Sequence, residues 1–227
     1  MNNNALRTAL RSFPMLYATP IVFVVDDDPS VREALESLIV QAGWRAQVFE
    51  SAQDFLSFPR AVVPSCLVLD VTLPGLDGLE LQSLIAGDRI DMPIIFITGH
   101  ADVPMTVKAM KAGAVEFLTK PVAEDVLINA IGSAIARSRI TLDQESESHA
   151  LRSLYAKLTP RERDVMTLVV RGLLNKQVGG ELGMAEITVK AHRGQVMRKM
   201  RAASFADLVN MGARLGLASA PQPSRNK

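Results

Sequence analysis

Cysteine is nearly absent: the 227 residues include one, Cys66. That excludes a disulfide framework within the chain and a thiolate metal set, and it suits a small core residue in a reducing compartment. No apolar run approaches the ~20 residues of a membrane helix. Met1 to Thr19 carries Arg7 and Arg11 but lacks a sustained apolar core and a clear cleavage site, so it reads as a disordered extension, with Met15 a second candidate start. Net charge is small too, +1 overall, but the balance conceals a division. Residues 1–150 carry 11 Lys+Arg against 19 Asp+Glu, net −8, and residues 151–227 carry 14 against 5, net +9. An acidic half followed by a basic half suggests two modest domains, the second suited to nucleic acid.

What the chain does have is a set of short apolar runs that end in polar chemistry. Cys66 to Gly78, CLVLDVTLPGLDG, delivers Asp70 to the end of a buried strand. Ile21 to Val25 runs into Asp26, Asp27 and Asp28, Pro93 to Ile97 into Thr98, and Ala114 to Thr119 into Lys120. Such runs, bounded by turn residues, suit parallel strands covered on both faces, and sheets of that kind bind ligands beyond the carboxyl ends of their strands. With these strands parallel in one sheet, carboxylates, a hydroxyl and an ammonium converge on one rim. Crowded carboxylates repel one another, so the cluster recruits a cation.

Helical patterns fill the gaps. Pro29 opens one with Val31, Leu35, Leu38, Ile39 and Ala42 on a single face, closed by Gly43. Arg45 to Phe49 is another short strand, and Ser51 with Asp54 resembles a capping box for a helix through Leu56. Turn-rich Leu73 to Gly78 precedes a helix to about Ala86, and Gly99 to Asp102 leads into one that Gly113 ends. The Lys120–Pro121 bond is a candidate cis peptide. This alternation specifies an α/β doubly wound parallel sheet.

A helix from Ala123 to Ile140 comes next, and TLDQESESHA, residues 141–150, is the best linker by polarity, part of it helical. Thr159, Pro160 and Glu162 then supply an N-cap, a first helical residue and a capping-box partner. Val165, Leu168, Val169 and Leu173 mark a first helix, Lys176 to Leu182 a second, and Ile187 to Met200 a third after Gly183, which makes a helix-turn-helix. Ser204 with Asp207 starts a last helix through Leu215. The expected division is an extension at 1–19, a first domain at 20–139, a linker at 140–154, a helix-turn-helix domain at 155–217 and a disordered tail at 218–227.

In that order, Asp26-Asp27, Asp70, Thr98 and Lys120-Pro121 at successive strand ends resemble the receiver domain of two-component response regulators. Thr159-Pro160-Arg161-Glu162, Asn175-Lys176-Gln177 and Thr188-Val189-Lys190-Ala191-His192 resemble the LuxR-type helix-turn-helix of the NarL/FixJ group. The loop from Thr98 to Met105 and the run from His192 to Met197 look most like the FixJ-type branch. The resemblance implies a five-stranded sheet in the flavodoxin-like order 2-1-3-4-5, followed by a small all-α domain. It implies Asp70 as phosphoacceptor, Mg²⁺ held by Asp26, Asp27, Asp70 and the backbone carbonyl of Thr72, and Lys120 and Thr98 on phosphoryl oxygens. A carboxylate attacks phosphorus only when the charge on both partners is neutralised, which oxygen-ligated Mg²⁺ achieves. Phe117 takes the place of an aromatic that turns inward as the threonine moves. Thr72 and His100 border the phosphoryl group and are expected to tune its lifetime.

The partners implied in the same way are a sensor histidine kinase, double-stranded DNA and RNA polymerase, with a homodimer forming on phosphorylation, in the cytoplasm and away from membranes. The chain is then no enzyme, beyond accepting a phosphoryl group and slowly losing it. In the third helix of the second domain, Val189, Val196, Met197 and Met200 keep core-facing spacing, and Lys190, Ala191 and Gly194 fall on the other side. Lys190 is the expected base or phosphate contact, and Ala191 and Gly194 allow close approach to base edges or a thymine methyl. Lys176, Thr188, Arg193 and Lys199 complete the expected DNA-binding set, with Arg198 and Arg201 adding charge toward the DNA backbone or solvent.

Two departures stand out. Ala185 occupies a position where the wider family often has a capping Ser, a loss of about 1 kcal/mol. Gly179 and Gly180 fall inside the short second helix, each costing about 1 kcal/mol relative to Ala. Two rival readings remain. One is a haloacid-dehalogenase-like phosphohydrolase, whose opening motif Asp70-Val71-Thr72-Leu73 resembles except that Thr72 replaces the usual acid. The other is a constitutive DNA-binding regulator whose receiver domain is silent.

Overall fold

A computed structural model describes residues 19–59, 62–87, 92–100 and 102–217. The expected extension apart from Thr19, with its candidate start Met15, lies outside these residues, as do Ala101 and the expected tail. The chain divides into two compact units between Gln144 and Glu145, a boundary inside the expected linker.

Five strands form the first unit's sheet: β1 (Ile21–Val25), β2 (Arg45–Phe49), β3 (Ser65–Asp70), β4 (Ile94–Thr98) and β5 (Glu116–Thr119). All pair in parallel, in the order β2-β1-β3-β4-β5. The strand order switches direction between β1 and β3, and ligands of such sheets bind beyond the carboxyl ends of the strands at that switch point. Side chains alternate between two cores. Phe23, Val25, Leu67, Leu69 and Phe96 point to one face with Phe49 and Phe55, and Val22, Val24, Cys66, Val68, Ile95 and Ile97 point to the other. Every residue of β1, β3 and β4 is buried, which explains their unbroken apolar composition.

The edges behave differently. β5 was expected from Ala114 as a buried strand, yet it begins at Glu116, and its residues are exposed or half-buried. Ala114 N–H still donates to the carbonyl of Ala109, and Gly113 sits at φ +98°, so both residues belong to the turn that ends the preceding helix.

The helices are α1 (Pro29–Gln41), α2 (Ala52–Ser57), α3 (Gly78–Ile85), α4 (Val103–Lys111), α5 (Glu124–Ala156), α6 (Pro160–Val170), α7 (Asn175–Leu182), α8 (Glu186–Met200) and α9 (Phe205–Arg214). Asp28, Ser51, Asp77 and Asp102 cap the first four, each accepting a backbone N–H of the first turn. Gly78 opens α3 against the end of β3 so closely that a Cβ there would stand 2.4 Å from the carbonyl oxygen of Asp70. On the other side of the sheet, α5 covers β3 and β4 with Leu127, Ile131, Ala134 and Ile135. Its Ser138 hydroxyl accepts the Ser65 N–H at 3.0 Å, satisfying a buried donor where β3 begins.

The expected linker, read as part helical, is helical throughout, residues 141–150 lying within one helix of 33 residues. From Ser133 to Ala156 there is no Gly or Pro, and most residues are good helix formers. Their polarity marks solvent exposure rather than a break in the backbone. The second unit packs α6 to α9 around Val165, Met166, Val169, Val178, Val189, Val196, Met200 and Leu208, with Leu151 of α5 and Leu158 of the turn that follows it. Leu173, expected in the first helix, lies past the end of α6 beyond Gly172 at φ +93°. Gly183, at φ +64°, makes the turn between α7 and α8. Of the two glycines in α7, Gly179 is required, since a Cβ would meet the Met184 carbonyl oxygen at 2.6 Å, whereas Gly180 meets nothing within 4 Å.

Candidate functional site

Parallel register carries the polar strand ends to one rim. Val25 pairs with Leu69, Asp70 with Ile97 and Thr98 with Thr119, so Asp26, Asp70, Thr98 and Lys120 end neighbouring strands in one row. The carboxylates of Asp26, Asp27 and Asp70 can each place an oxygen within 4.8 Å of the others. Asp26 and Asp70 are buried, and Asp27 is exposed. Lys120 Nζ bridges the buried pair, 2.7 Å from Asp26 Oδ2 and 2.6 Å from Asp70 Oδ2. The second oxygens are also held: Asp28 N–H donates to Asp26 Oδ1 at 3.0 Å and Thr72 N–H to Asp70 Oδ1 at 2.8 Å. Arg32 Nη1 donates to the Asp26 main-chain oxygen at 2.7 Å, steadying the loop that carries the two adjacent aspartates.

Burial raises the Asp26 carboxyl above its ordinary range, against the pull of Lys120 and the Asp28 N–H. For Lys120, burial acts downward, but its hydrogen bonds to Asp26 and Asp70 outweigh it, and the ammonium is held more firmly than usual. Three carboxylates and one ammonium leave two formal negative charges, and the donors are hard oxygens at a partly open edge. That set is compatible with a divalent metal ion.

The remaining rim residues are present, each with its own partner. The Thr98 side chain is buried, its hydroxyl 3.1 Å from the carbonyl oxygen of His100 and 3.3 Å from the His100 nitrogen. Phe117 is half-buried, with its ring centroid 5.9 Å from that of Phe96. Thr72 and His100 are both exposed at the rim. The Lys120–Pro121 bond is cis.

In the second unit, α8 buries Val189, Val196 and Met200 and exposes Ile187, Lys190, Ala191, Gly194 and Arg198 along the opposite side. Thr188 and Lys176 are exposed as well. Lys199, named among the expected DNA contacts, is half-buried, and its Nζ lies 2.7 Å from Oε2 of Glu162, a buried carboxylate that also accepts the Thr159 N–H at 2.8 Å. Burial acts to raise that carboxyl, but the Lys199 and Thr159 hydrogen bonds outweigh it and hold it below its ordinary range. Arg193, expected to supply charge to the DNA backbone, donates from Nη1 to Asn175 Oδ1 and places its guanidinium carbon over the Phe205 ring. Ile187 is exposed although apolar. Ala185 begins α8 without a side-chain cap.

A phosphoryl-receiver rim and a basic helix-turn-helix in one chain define the response-regulator class. Residues 22–132 match the response regulator receiver domain, and residues 156–212 match the bacterial regulatory proteins of the luxR family. Nodulation protein W of Bradyrhizobium diazoefficiens is 51% identical over 88% of this chain and 88% of its own. The transcriptional regulatory protein FixJ of the same organism is 39% identical over 86% of this chain and 96% of its own. Among solved structures, the response regulator StyR superimposes with a TM-score of 0.78 at 46% identity, covering 87% of this chain and all of that one. The chain belongs to the response regulators with a LuxR-type helix-turn-helix, the FixJ-like transcription regulators. These matches favour that family over the haloacid-dehalogenase alternative.

Proposed function

We propose that Asp70 accepts a phosphoryl group from a sensor histidine kinase and that this switches the binding of the second unit to double-stranded DNA. The observation that carries the reading is the buried Asp26–Lys120–Asp70 bridge beside Asp27, which places a nucleophilic carboxylate next to a cation and a metal-compatible oxygen set. In the transfer, an Asp70 oxygen forms the new P–O bond while the P–N bond to the kinase imidazole breaks. The imidazole keeps the electron pair and takes up a proton. Asp26, Asp27, Asp70 and the Thr72 carbonyl would hold Mg²⁺, which when bound would supply neutralisation of the negative charge on the reacting groups.

Lys120 then exchanges Asp70 for a phosphoryl oxygen, as a point charge on a flexible stem. Thr98 gives up the His100 carbonyl for another phosphoryl oxygen, and Phe117 turns inward behind it. The exposed side chains of Thr72 and His100 border the group and control the access of water to it. This shift in a two-state equilibrium changes the face made by α4, β5 and the start of α5, where a homodimer forms. Paired helix-turn-helix units occupy adjacent half-sites, with Lys176, Thr188, Lys190, Ala191 and Gly194 toward the groove, and engage RNA polymerase. The chain acts in the cytoplasm and is not an enzyme, since the phosphoryl group it takes is its own and leaves slowly. None of the helices among the described residues is long and apolar enough to cross a membrane.

Acetyl phosphate with Mg²⁺, followed by intact mass, is expected to give one phosphoryl adduct on the parent and none on Asp70→Ala. A parent that binds Mg²⁺ yet stays unmodified would count against the reading and leave a constitutive DNA-binding regulator as the better one.

A further inference from the structure

The cations of α8 are not equivalent. Lys190 and Arg198 are exposed, whereas Arg193 is half-buried and engaged on two sides. Its guanidinium carbon lies 4.4 Å from the ring centroid of Phe205, the first residue of α9. Its Nη1 donates at 3.3 Å to Oδ1 of Asn175, the first residue of α7. A single side chain near the middle of α8 therefore touches the N-terminal ends of both neighbouring helices. A planar guanidinium suits both contacts, since it can donate within its plane and set its face against a ring; an ammonium is a point charge without a face.

Position on the helix gives the contact its consequence. Successive residues of a helix are about 100° apart, so Arg193 lies beside Gly194 and one turn beyond Lys190, on the flank of the exposed stripe. Rotation of α8 about its axis would draw Arg193 off Asn175 or off Phe205, and the same rotation would turn Lys190, Ala191 and Gly194 away from their common direction. We infer that Arg193 is a positioning residue for DNA recognition rather than a phosphate contact, holding the recognition helix at the angle from which its exposed face reads bases. This rests on the reading of α8 as a DNA-recognition helix.

The test uses the full chain treated with acetyl phosphate and Mg²⁺, a duplex that the parent selects from a random-sequence pool, and a scrambled duplex of equal length. Affinity is measured against salt for the parent, Arg193→Ala, Arg193→Lys and Phe205→Leu. Arg193→Ala and Arg193→Lys are both expected to weaken the selected duplex by about tenfold, comparable with one mismatched base pair. Binding to the scrambled duplex and the salt slope should stay at the parent's values. Phe205→Leu, which keeps the arginine and most of the apolar volume, should lose discrimination in the same way. The inference is overturned if Arg193→Ala lowers the salt slope by about 0.9 and weakens both duplexes alike, or if Arg193→Lys binds as the parent does. Loss of helical circular dichroism in the Arg193 variants together with unchanged discrimination in Phe205→Leu would also overturn it, since the arginine would then serve folding alone. A parent that selects no sequence would defeat the DNA-binding reading first, and would be recognised by that.

Discussion

Gly78→Ala and Gly132→Ala are the same chemical change, and the structure gives them opposite signs. At Gly78 a Cβ would stand 2.4 Å from the Asp70 oxygen, 3.0 Å from Val71 Cα and 3.2 Å from the Asp70 carbonyl carbon. All three atoms are main chain at the end of a buried strand, so no change of rotamer relieves the clash. Ordinary contact begins near 3.4 Å, and the gap must therefore open by about 1 Å. Opening it weakens the Gly78 N–H bond to the Val71 carbonyl, now 3.0 Å, at about 1 kcal/mol. Overpacking adds about 1–3 kcal/mol. The opposing gain from a stiffer unfolded chain is only about 0.4–1 kcal/mol. The net expectation is a loss of about 2 kcal/mol, a fall in melting midpoint of about 8 °C for a unit of this size.

Gly132 lies inside α5, where a Cβ meets nothing within 4 Å. There the helix preference for Ala should add about 1 kcal/mol, or about 4 °C. Thermal melts of the three proteins measure both shifts, and acetyl phosphate labelling adds a functional readout, because the displaced carbonyl belongs to Asp70. If Gly78→Ala melts with the parent and is labelled at the parent's rate, the close approach of α3 to β3 carries no weight.

Lys199→Met should cost about 1–3 kcal/mol by removing the ammonium partner of the Glu162 carboxylate, and Lys199→Met with Glu162→Gln should recover most of it in urea melts. Because the folded pKa of Glu162 is depressed from 4.5, its contribution is fully present above about that pH and is lost as pH falls through the lower folded value. Acid melts of Glu162→Gln should therefore be flatter than the parent's below about pH 4.5, and equal slopes would refute the pairing. Saturating Mg²⁺, at about 100 times its dissociation constant, should stabilise the parent by about 2.7 kcal/mol. Asp26→Asn should abolish that shift, and a variant that keeps it would exclude Asp26 as a ligand. Ala185→Ser supplies the missing cap of α8 and should add about 1 kcal/mol to the urea-melting stability. Arg201→Gly should also stabilise by roughly 1 kcal/mol, since Arg201 ends α8 at φ 56°, where a Cβ is strained.

The rim of the sheet could be read from sequence because one rule replaces knowledge of contacts. β1, β3 and β4 are buried on both faces and so are continuous apolar runs, and in a parallel sheet their carboxyl ends lie together whatever the order of the strands. Asp26, Asp70 and Thr98 follow from that alone, whereas Lys120 ends the edge strand β5, whose residues are exposed or half-buried. The order of strands came only from the family resemblance, since periodicity names a strand without naming its neighbours. Asp28, Asp77 and Asp102 carried a legible signal that went unused, an Asp immediately before a helical run, and at Asp77 a Glu three residues on. Polarity marks residues 141–150 as a linker without fixing how much of it is helical, and since nothing in the stretch breaks a helix, α5 runs through all of it.

No comparable rule exists for charges on a helix. Lys199 and Arg193 occupy positions that look solvent-facing, and their partners lie 37 and 18 residues away in sequence, at distances fixed only by packing of the second unit. This changes a measurable quantity. If every cation of α7 and α8 met a phosphate, Lys176, Lys190, Arg193, Arg198 and Lys199 would give a salt slope of about −4.5 per unit, at about 0.9 per contact. With Arg193 held by Asn175 and Phe205, and Lys199 held by Glu162, three cations remain and their share falls to about −2.7. Charge-removing substitutions should then divide sharply. Lys190→Met should lower the slope by about 0.9. Lys199→Met should leave the slope where it was while lowering the melting temperature. A slope that drops equally in both would mean that the Glu162–Lys199 pair opens on DNA, and that the charge on this face is larger than the free protein displays.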